Sequence, residues 1–204
     1  DSIKNGRRGD LNATIKIKGI QGHAAMEQHA KNAVFEASRF IEKMLLNPID
    51  HGTKYFPQTS FQVSNIHAGT GADNVIPGLC TLRCNFRWND LQRPEKIEQH
   101  VRAIADSLKL DYEAEFRAEG APFLTEEGKL IDVLSSAISE VTGKKPTLGT
   151  SGGTSDGRFI RPLGPQTVEF GPVANFIHKV DERVAVDELD RLHQIFVKTL
   201  EQLF

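Results

Sequence analysis

Apolar and polar residues alternate along residues 11–18. Leu11, Ala13, Ile15 and Ile17 face one way and Asn12, Thr14, Lys16 and Lys18 the other. A period of two means a strand with one face in a core and one in water. Residues 30–46 switch to helical spacing, with Val34, Ala37, Ile41 and Leu45 on one stripe and Phe40 and Met44 beside it; Asn47-Pro48 ends that helix. Strands are expected over 59–67 and 78–88, the second with Cys80, Leu82, Cys84, Phe86 and Trp88 on one face. A helix over 94–108 (Ile97, Val101, Ile104, Ala105, Leu108) and an alternating strand over 111–118 (Tyr112, Ala114, Phe116, Ala118) complete the series. The order strand, helix, strand, strand, helix, strand is that of the ferredoxin-like βαββαβ fold, an α+β arrangement of an antiparallel sheet with two helices on one face.

That unit is expected to end near Gly120-Ala121-Pro122. Beyond it, Leu130, Val133, Leu134, Ala137, Ile138 and Val141 predict a helix over 128–142, stopped by Gly143. A short strand near Thr147, a polar Gly-rich loop over 150–159, a strand over 166–170 and a polar loop over 178–186 follow. A last helix over 187–203 carries Leu189, Leu192, Phe196, Leu200 and Leu203 on one face. About 80 residues with so little sheet make a poor independent domain, so this part is expected to belong to a larger α/β layer.

Composition narrows the setting. The 204 residues are 39% hydrophobic and 25% charged, with a net charge of −2. Such a surface has no strong field for nucleic acid or anionic membrane. No apolar run approaches the roughly 20 residues that span a bilayer, and the first nine residues have no signal-peptide core. Cys80 and Cys84, four residues apart on one strand, would lie about 13 Å from each other. A disulfide needs Cα atoms within about 7 Å. Free buried thiols suit a reducing cytoplasm.

Few residues carry recognisable chemistry by themselves. His23, between a strand and a helix, is a surface or capping residue or else a hydrogen-bond donor to a developing oxyanion. The loop Gly69 to Asn74 is a flexible connection or a set of amide donors for a carboxylate. Arg7, Arg8 and Arg87 at strand ends are solvated or bind carboxylates bidentately. Gly152-Gly153-Thr154-Ser155-Asp156-Gly157-Arg158 allows close backbone approach and offers hydroxyls. It is not a phosphate loop, because the Gly-Lys-Ser/Thr ending is missing, and it matches the nucleophile elbow only weakly. His178, in a polar loop, is a solvated residue or one metal ligand that would need several more.

In combination these segments are more specific. Asn5-Gly6-Arg7-Arg8-Gly9, Gly19-Ile20-Gln21-Gly22-His23, Asn65 to Gly71, Asn74-Val75-Ile76-Pro77, Gly152 to Phe159, Glu169-Phe170-Gly171-Pro172 and Ile177-His178-Lys179 occur in that order. Together they resemble the succinyl-diaminopimelate desuccinylase family, among the dinuclear-zinc deacylases and carboxypeptidases that include acetylornithine deacetylases. The resemblance implies a connector over residues 1–8, a ferredoxin-like lid that dimerises over 9–121, and the C-terminal portion of the catalytic domain over 122–204. It implies hydrolysis of N-succinyl-LL-2,6-diaminopimelate in lysine and cell-wall synthesis, in the cytoplasm, by two zinc ions or cobalt. His178 matches a zinc ligand. His23 matches the lid histidine that reaches into the partner subunit's site as catalytic oxyanion donor. Arg7, Asn74, Arg87, Gly153 and Thr154 match substrate-binding positions. The chain departs from the family at Met26-Glu27, where Tyr-Pro is common, and at Asp73 and Asp181, where Asn is usual. The family's remaining ligands are expected upstream of Asp1, so this chain on its own is expected to hold no zinc stably and to be inactive. A related N-acyl amino acid deacylase and a non-catalytic dimerisation module are the alternatives.

Overall fold

Two short strands, β1 (Ser2–Lys4) and β2 (Gly6–Arg7), precede the alternating segment, which forms β3 (Gly9–Lys18). Then come β4 (Gly22–His23), a 3-10 helix (Ala24–His29) and α1 (Ala33–Leu46). They are followed by β5 (Ser60–Ala68), β6 (Val75–Ile76), β7 (Leu79–Trp88), α2 (Pro94–Ser107) and β8 (Asp111–Gly120). The remainder is β9 (Phe123–Leu124), α3 (Lys129–Thr142), β10 (Thr147–Gly149), α4 (Gly157–Ile160) and α5 (Val186–Leu203). This computed structural model describes residues 2–172 and 175–204. It falls into two units, Arg8–Pro122 on one hand, and the segment ending at Arg7 with Phe123–Phe204 on the other.

In the first unit the main sheet has the order β5-β7-β3-β8, with every neighbouring pair antiparallel. This is the ferredoxin-like order expected from the pattern. The apolar faces of β3 and β7 meet α1 and α2 in one core, with Ile15, Ile17, Leu82, Phe86, Phe40, Ile97 and Val101 fully buried. Phe61 packs edge-on to Phe40 and tilted on Phe86, with centroids 6.5 and 5.3 Å away. Cys80 and Cys84 are free and buried in this core, and burial pushes the Cys84 thiol up to about 12. The α1 stripe is rotated from the expected one. Ala37, Phe40 and Met44 are buried, whereas Leu45 is 65% exposed. The apolar arc of α1 is wider than the sheet it covers, so periodicity alone does not choose its centre.

In the second unit, β1 pairs in parallel with β10, and β2 antiparallel with β9. Ile3 joins Leu134, Ala137 and Ile138 of α3 and Ile195 of α5 in a small core. The expected strand over 166–170 does not form. Only a single bridge joins Lys4 and Glu169, and beyond it the segment is taken up by side-chain bonds such as Thr125 Oγ1 to the Thr167 carbonyl at 2.7 Å. The apolar face of α5 also differs from expectation: Ile195 and Thr199 are buried, while Leu189, Phe196 and Leu200 are 45%, 42% and 56% exposed. Contact with α3 selects the buried line from a broader apolar arc.

Candidate functional site

His23 sits where the backbone leaves the sheet. It caps the 3-10 helix with extended φ/ψ of −78° and 133°, and its Nδ1 accepts from the Ala25 N–H at 3.0 Å. An accepting Nδ1 carries no proton, so the neutral ring keeps its hydrogen on Nε2, as a donor. That Nε2 lies 3.4 Å from the Asn74 side-chain nitrogen. A donor Nε2 would need the Asn74 amide turned to present its oxygen in place of its nitrogen. Backbone bonds hold the two together: His23 pairs with Val75, Gly22 with Ile76, and the Ala24 N–H donates to the Asn74 carbonyl at 2.9 Å. Gly22 is required by the close approach, since a Cβ there would stand 2.8 Å from that of Ala30. His23 itself is exposed, outside the core of its unit. Asp73, beside Asn74, is exposed as well, as are Met26 and Glu27.

Arg87 belongs to the same unit but to the opposite end of the sheet. Across the β3–β7 pair, Asp10 faces Arg87 and Lys18 faces Leu79. Eight residue steps along a strand cover about 26 Å. His23 follows Lys18 and Asn74 precedes Leu79, so within one copy the histidine and the arginine lie towards opposite ends of the sheet. The Arg87 guanidinium lies 2.9 Å from Asp10 Oδ2, and its Nε donates to Asn85 Oδ1 at 3.0 Å. Arg8 donates to the Ser60 hydroxyl at 3.4 Å. Burial, and then the charge of Arg87, hold the Arg8 pKa below its ordinary value.

The remaining candidates lie in the other unit. The Arg7 Nε donates to Glu169 Oε2 at 2.9 Å and its Nη1 to the Ser151 carbonyl at 2.9 Å. The Ser155 hydroxyl donates to the second oxygen of Glu169. Burial by itself would raise the Glu169 pKa, but the Arg7 and Ser155 hydrogen bonds and the Arg7 charge outweigh it and leave the carboxyl below its usual range. Gly152, at φ +106°, lets the loop close over this pair, because a Cβ there would meet Arg7 Nη1 at 2.5 Å. Gly153 is exposed with open space around it, and Thr154 Oγ1 accepts from Arg158 at 3.4 Å. His178 is exposed and, like Asp181, has a left-handed backbone, φ 59° and 60°.

Zinc in proteins takes about four donors. Among the described residues no three His, Cys, Asp or Glu side chains gather to hold a metal. His178 therefore does not fit a dinuclear centre with the residues present, and no chemistry through a metal follows from them. A cavity of about 570 Å³ on the helix-free face of the main sheet, among Thr14, Asn65, Arg83 and Glu115, touches none of the candidates. No helix among the described residues is long and apolar enough to cross a membrane. Asp10 and Glu169, the carboxylates that hold Arg87 and Arg7, were not among the candidates. The Asp10 pairing becomes visible once β3 and β7 are set in register; that of Glu169 has no local signal.

The peptidase dimerisation domain family matches residues 5–113, more than half of the chain. The chain is 50% identical over 204 residues to the succinyl-diaminopimelate desuccinylase of Hydrogenovibrio crunogenus, covering 100% of this chain and 54% of that protein. It is 47% identical over 203 residues to the enzyme of the same name from Aromatoleum aromaticum, covering 100% of this chain and 53% of that protein. It thus spans about half the length of the curated relatives it matches. Among solved structures, a tripeptidase from Staphylococcus aureus superposes with a TM-score of 0.78 at 21% identity, over 98% of this chain and 53% of that one. A metallo-carboxypeptidase of the M20 family from Sulfolobus solfataricus superposes with a TM-score of 0.73 at 16% identity, over 99% of this chain and 59% of that one.

Proposed function

Since this chain belongs to the M20 peptidase dimerisation-domain family, we propose that it is the lid and C-terminal part of a desuccinylase. The parent protein hydrolyses N-succinyl-LL-2,6-diaminopimelate to succinate and LL-2,6-diaminopimelate. The amide C–N bond breaks, the oxygen of water passes to succinate, and the leaving amine takes a proton. His23 Nε2–H donates to the carbonyl oxygen as negative charge develops there, and Arg7, Arg87, Asn74, Gly153 and Thr154 hold the substrate's carboxylates and backbone. His178 would serve as one ligand of a metal whose further donors these residues do not supply.

The observation that carries this reading is the separation of His23 from Arg87 along β3 and β7. One substrate can use both only if they come from two copies, which gives a dimerising domain a catalytic purpose. The names of the relatives supply the acyl group.

The test is made on the full-length protein with succinylated, acetylated and other N-acylated amino acids. The succinylated diaminopimelate is expected to show the highest kcat/KM, and preference for an acetylated substrate would overturn the assignment. His23→Ala is expected to lower kcat by about 100-fold or more, with KM less affected. A kcat close to wild type would remove the oxyanion role. This chain by itself, supplied with zinc, is expected to show no turnover.

A further inference from the structure

One end of the main sheet carries two guanidinium groups and one carboxylate. Arg8 and Arg87 share this corner with Asp10, Asn85 and Ser60. Asp10 is 7% exposed. Its Oδ1 accepts from the Asn85 amide at 2.7 Å, while its Oδ2 stands 2.9 Å from Arg87 Nη1. That second contact has the distance of an ion pair, yet Nη1 has no acceptor in hydrogen-bond geometry, and neither does the buried Nε of Arg8. A buried N–H without an acceptor is destabilising, because it has given up its hydrogen bond to water. The corner thus retains one positive charge and two unsatisfied donors, the complement of one further carboxylate, with Asp10 already on the guanidinium that such a ligand needs.

We propose that Asp10 is a specificity-determining residue of this corner: its carboxylate occupies Arg87 as an internal counter-ion and lowers the affinity for a ligand carboxylate, which binds between Arg87 and Arg8. This rests on the reading of Arg87 as a carboxylate holder. Asp10 thereby sets how much negative charge the corner accepts, and Arg8 is the additional cation that it leaves available. A purely structural cross-strand pair makes the opposite prediction, because breaking it would loosen Arg87 and weaken anion binding.

The sign of the effect is therefore the test. Succinate is titrated into the 204-residue chain and its variants, followed by calorimetry and by amide chemical shifts, which also report the fold. Asp10→Asn and the smaller Asp10→Ser are each expected to lower the Kd about tenfold, the equivalent of roughly 1.4 kcal/mol. Adding Arg8→Gln to Asp10→Asn is expected to abolish that gain. Glu115→Gln, which removes an exposed acid of the same sheet, is expected to change the Kd by less than about twofold, because screening weakens distant charges. An unchanged or higher Kd in the folded Asp10 variants would overturn the proposal, as would an equal gain from Glu115→Gln. Succinate binding needs no turnover. Tighter binding beside an inactive full-length protein would sink the desuccinylase reading alone, and an active enzyme with an indifferent Asp10 would sink this one alone.

Discussion

Asp50 shows how much a single residue organises away from the candidate site. Its Oδ1 accepts from the Gly52 and Thr59 amides at 2.9 and 3.1 Å and from the fully buried Asn89 side chain at 2.7 Å. Burial pulls its pKa upward, but the hydrogen bonds from Thr59, Gly52 and Asn89 outweigh it, and the net shift is downward. A depressed pKa means that the contribution is fully present above the unfolded value of about 3.9 and is lost as pH falls through the folded value. Asp50→Asn is therefore expected to cost about 1–2 kcal/mol at pH 7, allowing for partial exposure. Urea unfolding at pH 7 and at pH 3 should show the difference shrinking in acid. A gap that persists undiminished at pH 3 would rule out the ionised carboxylate as its source.

At the scale of the element, α5 distinguishes burial from mere apolarity. Ile195 is 2% exposed against α3, whereas Leu200 on the same helix is 56% exposed. Ile195→Ala should cost about 2–4 kcal/mol through lost burial and the cavity left behind. Leu200→Ala should stay within about 0.5 kcal/mol. Denaturant midpoints of the two variants check this, and equal losses would mean that the exposed line is covered in solution.

On the scale of the whole molecule, the proposed reaction requires the two ends of the sheet to come from different copies. Full-length protein made as a mixture of His23→Ala and Arg87→Ala chains tests this directly. In a mixed dimer one site inherits both lesions and the other neither. Each variant by itself should be nearly inactive, and equal co-expression should restore about a quarter of wild-type turnover. Mixtures no more active than the separate variants would mean that each copy works alone.

Much of this was legible in the order of residues. Period-two and period-3.6 patterns are local properties, so β3, β7, α2 and the βαββαβ order follow from Leu11–Lys18, Cys80–Trp88 and Ile97–Ala105 alone. His23 and Asn74 were each legible as candidates only through the family resemblance, because a histidine between a strand and a helix reads equally as a cap, which His23 is, and a Gly-rich loop as a connection. Their meeting at 3.4 Å was not, since the two are 51 residues apart in the chain and are brought together by the pairing of β4 with β6. The same holds for Arg87 on Asp10, for Arg7 on Glu169, for the helical stripes turned from their expected centres and for the strand over 166–170 that reduces to one bridge. Backbone periodicity is written residue by residue. Which apolar line is covered, and which charge finds a counter-ion, is set by what another part of the chain brings against it, and only the tertiary structure decides that.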